Sequence, residues 1–367
     1  MIDIQKLIIK LLAISGFCLV ALSYNAAQTH ASPVIPEDKH SAVILAYLMV
    51  GEDRSPEQNI RLSQFEEQMR ELSEADYNVI SLKEAITHFK TEKELPPRSI
   101  IITFDGAHKS VLDKAVPILQ SHGFPFTIFV SADRASQKNN NYMSWSDIKY
   151  LARSNDVTIG MHTASYRHLA HESREDILRD LNRGKALFRE NLSKEPEFFA
   201  YPFGEYSPAF KDLIIEQKFT AALGQNSGVA YNESDLMALP RFVMTEEYGD
   251  LERFRMLANA LPLPVSGLTP TASHLRERHP NIGFSVSDEL IDSLDKLSCF
   301  ASGQERPAME IINGNRVELR LKQDFTQERG RINCTMPVKP LAHEETRWRW
   351  FGMLFTYPSP LMEIGAQ

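Results

Sequence analysis

Between residues 41 and 244, strand-like apolar runs alternate with amphipathic, helix-like runs. The continuous apolar stretches SAVILAYLMV, SIIITF and FTIFVS predict strands that are buried on both faces. Segments between them, such as SQFEEQMRELSEAD, repeat apolar residues at spacings of three and four, which predicts helices with one apolar face. Strand–helix alternation on this scale predicts an α/β fold, specifically a (β/α) barrel with its helices outside a mostly parallel sheet.

Three polar motifs come where predicted strands end. They are FDGAH at 104–108, MHTASYRH at 161–168 and YPFGEY at 201–206. The carboxyl ends of parallel strands meet at one rim of a barrel, and the chemistry of such barrels lies there. The sequence therefore predicts one site built from all three motifs.

The pattern changes after the predicted barrel at residues 41–261. Residues 262–280 are rich in proline, serine and threonine, which predicts a linker. Short alternating runs such as RVELRL and RINCTMP follow, and predict a β-rich accessory domain at 281–367.

The first 31 residues have the pattern of an export signal. Lys6 and Lys10 precede the apolar stretch LLAISGFCLVAL, and small residues follow it. This stretch is shorter than the roughly 20 residues that a spanning helix needs, so we expect a cleaved signal peptide and a periplasmic or secreted protein. An uncleaved membrane anchor is the alternative.

Cysteine content and net charge indicate a disulfide and argue against one class of partner. Cys299 and Cys334 are the cysteines left after signal removal, and in an oxidising compartment they predict a disulfide, with two free thiols as the alternative. The net charge is −8 and no basic run appears, which argues against nucleic acid as a partner. The sequence gives no indication of an oligomeric state.

The motifs resemble those of the polysaccharide deacetylase family, the NodB-homology or carbohydrate esterase family 4 group. TFDGA at 103–107 is similar to the family's T-F-D-D-G/A, HTASY at 162–166 to H-S/T-x-x-H, and AYPFG at 200–204 to R/A-x-P-Y/F-G. The resemblance covers roughly residues 43–244. It implies a distorted (β/α) barrel that uses a divalent metal, commonly zinc, to remove acetyl groups from N- or O-acetylated polysaccharide.

The resemblance also implies roles for individual residues. Asp105 would be the general base, His162 a metal ligand, and the backbone N–H of Phe203 a donor to the oxyanion. The residues expected to line the substrate groove are Tyr166, Tyr201, Pro202, Gly204 and Glu205. The general acid has no assigned residue.

Two departures from the family motifs put the metal in question. Gly106 stands where the family has a metal-binding aspartate, and Tyr166 where it has a second metal-binding histidine. A catalytic zinc usually takes three protein ligands, so we expect weak or absent zinc binding. His108 and His168 are candidate replacement ligands, or else ordinary loop histidines.

Two functions follow from these observations. The first is an exported deacetylase with a rewired metal site. The second is a protein that keeps the sugar groove and binds acetylated polysaccharide without turnover.

Overall fold

The computed structural model describes residues 36–137, 139–338 and 346–357. The strands of its first part, in chain order, are β1 (Ser41–Tyr47), β2 (Met49–Val50), β3 (Asn59–Ile60), β4 (Asn78–Val79), β5 (Ser99–Asp105), β6 (Phe126–Val130), β7 (Val157–Met161), β8 (Phe198–Ala200), β9 (Ala221–Leu223), β10 (Ala230–Tyr231) and β11 (Phe242–Val243). All seven residues of β1 and of β5 are buried, as their continuous apolar sequence predicts.

Helices follow most of these strands. The α-helices are Leu62–Glu74, Leu82–Thr91, Val116–His122, Ala132–Ser136, Trp145–Leu151, Arg174–Leu192, Pro208–Glu216 and Leu251–Ala258. A π-helical turn, Val111–Ala115, leads into the third of them, and short 3₁₀ segments are Pro36–Lys39, Pro202–Gly204 and Asp288–Lys296.

The longest helix shows how the sequence sets these elements. Its first turn is capped by Ser173, whose hydroxyl accepts a hydrogen bond from the backbone N–H of Asp176. Ile177, Leu181 and Phe188 recur at helical spacing and are all buried in the main hydrophobic core. The helix therefore packs one apolar face on the sheet and leaves its charged face in water.

The sheet has the strand order β10-β1-β5-β6-β7-β8-β9. Every neighbouring pair from β1 to β9 in this order is parallel. Leu239 forms a bridge with Leu223 of β9, and β11, three residues further on, pairs with β1. This segment links the two edges of the sheet, so the strands curl into a barrel and the predicted α/β fold is confirmed.

The rest of the chain is β-rich, as predicted. Its strands are β12 (Leu261–Pro262), β13 (Val265–Thr269), β14 (Ile282–Val286), β15 (Ser298–Ala301), β16 (Ala308–Ile312), β17 (Arg316–Arg320), β18 (Arg329–Val338) and β19 (Arg347–Thr356). They form two four-stranded sheets, β12-β19-β18-β15 and β13-β14-β17-β16, which share one hydrophobic core. Part of the predicted linker at 262–280 is a strand, β13. Its backbone pairs with β14 although its composition is typical of loops.

The β-rich part packs directly on the barrel. Trp350 of β19 is buried in the barrel's hydrophobic core, where its ring meets that of Phe242 edge-on at 5.3 Å. Arg347 makes two hydrogen bonds of 2.6 Å to the buried carboxylate of Asp38. The predicted signal peptide at 1–31 lies outside the described residues, and within the described part no helix is long and apolar enough to span a membrane.

The structure contains the predicted Cys299–Cys334 disulfide. In the antiparallel pairing of β15 with β18, the two cysteines stand directly opposite each other. The bridge therefore joins neighbouring strands of one sheet, and both cysteines are buried in the core of the β-rich part.

We expect replacement of both cysteines by alanine to lower the free energy of unfolding by roughly 3 to 4 kcal/mol, because the bridge closes a long loop in the unfolded chain. The separation of the two cysteines is 35 residues. Chemical denaturation of the unmodified and variant chains measures the change, and the unmodified chain kept in reductant is the matched control. Equal stability of the oxidised chain and the variant would contradict the prediction.

Candidate functional site at the rim of the barrel

Asp105 is the last residue of β5 and lies at the carboxyl-end rim, where the motifs were expected to meet. Its carboxylate is only 2% exposed. Arg241 donates to both carboxylate oxygens, from Nη1 to Oδ1 at 2.7 Å and from Nη2 to Oδ2 at 2.9 Å. The side-chain amide of Gln225 adds a longer contact of 3.4 Å to Oδ2. Both oxygens of the carboxylate therefore accept hydrogen bonds from buried neighbours.

Arg241 is completely buried and is held on every side. Besides Asp105, its guanidinium donates to the carbonyl of Gly224 at 2.8 Å and to the hydroxyl of Thr103 at 3.1 Å. A buried arginine needs such a set of acceptors, because an unpaired charge in a protein interior is costly. Arg241 has no role among the sequence predictions, although it is a single arginine in the apolar stretch MALPRF, which is a signal that could have indicated it.

The surroundings of Asp105 fix its charge. Burial by itself would raise the pKa of this carboxyl, but the charge of Arg241, the nearby His162 and the two hydrogen bonds from Arg241 outweigh burial and hold that pKa well below its usual range. A carboxylate with so low a pKa accepts a proton weakly.

His162 follows β7 and is fully buried. Its Nδ1 donates to the carbonyl of Ala200 at 2.6 Å, which fixes the orientation of the ring. Nε2 points towards Asp105 but is 3.5 Å from Oδ1 and has no hydrogen-bond partner within the described residues. The ring therefore presents one unused nitrogen to the interior of the site.

Tyr166 covers His162, with ring centroids 4.7 Å apart and nearly perpendicular planes. The tyrosine is almost fully buried, and its backbone φ is +55°. Burial, helped by the negative charge of Asp105, raises the pKa of the Tyr166 phenol. The phenol therefore stays protonated near neutral pH and is a poor metal ligand.

Arg134, from the helix Ala132–Ser136, also contacts residues of this site. Its guanidinium carbon lies 4.0 Å from the ring centroid of Tyr166 and 4.7 Å from that of Tyr142. A Cβ added at Gly106 would lie 3.3 Å from Nη1 of this arginine. Arg134 has no role among the sequence predictions, because it lies outside all three motifs.

The residues at this rim lie in a region that is similar to known proteins. Residues 92–222, which include Asp105, His162 and Phe203, match the family model described as polysaccharide deacetylase. The chain contains a polysaccharide deacetylase domain. All three predicted motifs lie within these matched residues.

Individual relatives agree with this assignment. A poly-β-1,6-N-acetyl-D-glucosamine N-deacetylase of Staphylococcus aureus is 24% identical over 204 residues, which cover 52% of this chain and 69% of the relative. A deacetylase of Streptococcus pyogenes, PplD in complex with acetate, superposes with a TM-score of 0.55 at 18% identity, over 60% of this chain and 99% of that one. IcaB from Ammonifex degensii superposes with a TM-score of 0.54 at 24% identity, over 60% of this chain and 98% of that one. At these identities the structures show a shared fold.

The residues of this deacetylase domain do not fit the zinc ion that the family resemblance implies. His162 offers one free nitrogen, but Gly106 has no side chain and Tyr166 keeps its proton. Both oxygens of Asp105 are held by Arg241. Within the described residues no group of three or more His, Cys, Asp or Glu side chains could hold a metal ion.

The two candidate replacement ligands have other partners. Nδ1 of His108 lies 2.8 Å from the hydroxyl of Ser110, and burial lowers the pKa of this histidine. His168 is half-exposed; its Nδ1 lies 2.7 Å from a carboxylate oxygen of Glu205, and its ring stacks on Phe203 at 4.0 Å. The structure therefore does not gather Asp105, His108, His162 and His168 into one ligand set.

The predicted groove residues divide into two groups. Tyr201 is fully buried and donates its hydroxyl to the carbonyl of Met237, so it belongs to the barrel core and not to a groove. Pro202 and Gly204 are also buried, and a Cβ at Gly204 would lie 2.4 Å from Cβ of Gln225. Only glycine allows that close approach.

Glu205 and Phe203 lie at the rim beside the β-rich part. Arg329 of β18 donates to Glu205 at 3.1 Å and also to the backbone carbonyl of Phe203. Phe203 has a φ of +58°, which places its peptide group in a tight turn after Pro202. The accessory strands thus contribute a cation to the edge of the site, which sequence reasoning did not anticipate.

Proposed function

We propose that the rim of the deacetylase domain binds an acetylated amino-sugar polysaccharide, and that metal-dependent hydrolysis is impaired in this chain. The observation that carries the proposal is the occupancy of the metal position: Gly106 and Tyr166 remove two ligands, and the guanidinium of Arg134 lies against both. A catalytic zinc usually takes three protein ligands, so a site that lacks two of them favours recognition over metal-dependent turnover.

The substrate class rests on the relatives. The Staphylococcus aureus relative is named for poly-β-1,6-N-acetyl-D-glucosamine, so oligomers of that polymer are the first ligands to test. The proposal includes export to the periplasm or the medium, because residues 1–31 have the charge and apolar pattern of a signal peptide.

Binding and hydrolysis can be measured on the same sample. We expect the full chain, prepared with excess zinc, to bind a β-1,6-linked N-acetylglucosamine oligomer in calorimetry. We expect it to bind the fully deacetylated oligomer more weakly and to release less than one equivalent of acetate per chain. Absence of binding to the acetylated oligomer would contradict the recognition function.

Hydrolysis is the second candidate, and the retained Asp105 at the strand end favours it. Asp105 stands at the position of the family's general base, and its Oδ1 is 3.5 Å from Nε2 of His162. Two features oppose it: both oxygens accept from Arg241, and the pKa of the carboxyl is well below its usual range. Many equivalents of released acetate in the experiment above would establish this second function.

A further inference from the structure

Arg134 differs in its partners from the other arginines described at the rim. Arg241 is paired with Asp105, and Arg329 with Glu205. The guanidinium of Arg134, in contrast, makes no ion pair and donates no hydrogen bond within the described residues. Its contacts are the faces of Tyr142 and Tyr166. Five N–H donors are therefore available to a ligand.

The tyrosines hold this guanidinium in a fixed place. Cation–π contacts at 4.0 and 4.7 Å orient the side chain without using its donors. Arg134 is partly exposed, whereas Asp105 and His162 are buried. A ligand arriving at the rim therefore meets Arg134 before it meets the carboxylate.

The charge of the altered site matches that of the site it replaces. A divalent metal bound by one carboxylate leaves a net charge of about +1 beside the general base. Here Gly106 has lost the carboxylate, and one guanidinium lies 3.3 Å from where its Cβ would be, which again gives one positive charge. Arg134 thus supplies the charge that the metal would have supplied.

The charges around Tyr166 show which cation is left for a ligand. Asp105 acts on this ring together with Arg134, Arg241 and Arg329. Arg241 is paired with Asp105 and Arg329 with Glu205, so of these three the guanidinium of Arg134 is the one left to bind an oxygen acceptor. An acetamido carbonyl oxygen accepts hydrogen bonds from a guanidinium and adds no charge.

We propose that Arg134 is the acetyl-recognition residue of this chain, a guanidinium that binds the carbonyl oxygen of an N-acetyl group where the family would place a metal. This inference rests on the proposed function and names the group that distinguishes acetylated from deacetylated sugar. It requires no zinc and no hydrolysis.

The test compares full-length variants in calorimetric titrations with the β-1,6-linked N-acetylglucosamine oligomer. We expect Arg134→Gln to weaken binding by about tenfold or more, since it removes a charged donor. Arg134→Lys keeps the positive charge but loses the planar set of guanidinium donors. Its affinity for the oligomer should lie between those of Arg134→Gln and the unmodified chain. Arg153→Gln removes an exposed arginine just beyond the helix Trp145–Leu151 and is the matched control, expected to bind like the unmodified chain.

The outcomes separate this inference from the proposed function. Equal binding of the acetylated oligomer by Arg134→Gln and the unmodified chain would overturn the role of Arg134 and leave recognition standing. Absence of binding by the unmodified chain would overturn both. Sodium acetate is the probe for a free carboxylate: tight, Arg134-dependent acetate binding without oligomer binding would overturn the preference for a neutral carbonyl. If Arg134→Gln does not fold, Arg134→Met, which keeps the long stem on the tyrosine rings, gives the same comparison.

Discussion

Replacement of Arg241 by glutamine is expected to lower the free energy of unfolding by about 3–5 kcal/mol at neutral pH, because it leaves the charge of Asp105 buried and unpaired. Both residues are buried, and the two hydrogen bonds between them are 2.7 and 2.9 Å long. Urea denaturation of the two proteins measures the difference.

Two further variants show whether the unpaired charge is the cause. Arg241→Gln combined with Asp105→Asn removes both charges and should be less destabilised than Arg241→Gln alone. Arg153→Gln, an exposed control, should change stability little. If the double variant is no more stable than the single one, the lost guanidinium packing and not the unpaired carboxylate explains the effect.

The pH dependence gives an independent check. The pKa of Asp105 is lower in the folded protein than in the unfolded chain, where a value of about 3.9 is expected. Its contribution to stability is therefore present above about pH 4 and is lost as the pH falls below that value. In Arg241→Gln the buried carboxyl lacks its counter-charge, so its pKa should be raised and the destabilisation should shrink on acidification.

A second large effect is expected when the metal site is rebuilt. Gly106→Asp with Tyr166→His restores a carboxylate and an imidazole beside the free Nε2 of His162, giving the three ligands that a catalytic zinc usually takes. The guanidinium of Arg134 would still oppose a dication there, so we expect zinc to bind tightly only when Arg134→Ser is added. Gly106 has a φ of +81°, a conformation that aspartate tolerates better than most residues.

Elemental analysis of the double and triple variants provides the measurement. The triple variant should carry about one zinc per chain, and the double variant markedly less. Equal zinc content in the two would show that Arg134 does not exclude the metal. Acetate release by the triple variant is a second readout, and it can stay low because no general acid is assigned.

The barrel was predictable from sequence because its strands are continuous apolar runs and because polar motifs follow where these strands end. Asp105 and His162 lie at strand ends, and the geometry brings them within 3.5 Å of each other as expected. The disulfide was also predictable, since the two cysteines outside the predicted signal peptide leave one pairing.

The lone arginine in MALPRF marks Arg241 as unusual, but the partners of Arg241 and Arg134 could not be assigned from the sequence, for a physical reason. Arg241 is 136 residues from its partner Asp105, and only the strand order brings them together. Arg134 belongs to a five-residue helix without a motif, and its role appears only where its guanidinium meets Tyr166 and the space at Gly106. Long-range contacts of this kind depend on the fold and leave no local pattern.

The zinc content of the unmodified full chain tests the central claim most directly. The protein is equilibrated with excess zinc, freed of unbound metal by gel filtration and measured by elemental analysis, with His162→Ala as the matched variant. A guanidinium in place of the metal predicts zinc well below one per chain and no difference between the two proteins. One zinc per chain that is lost in His162→Ala would contradict the account.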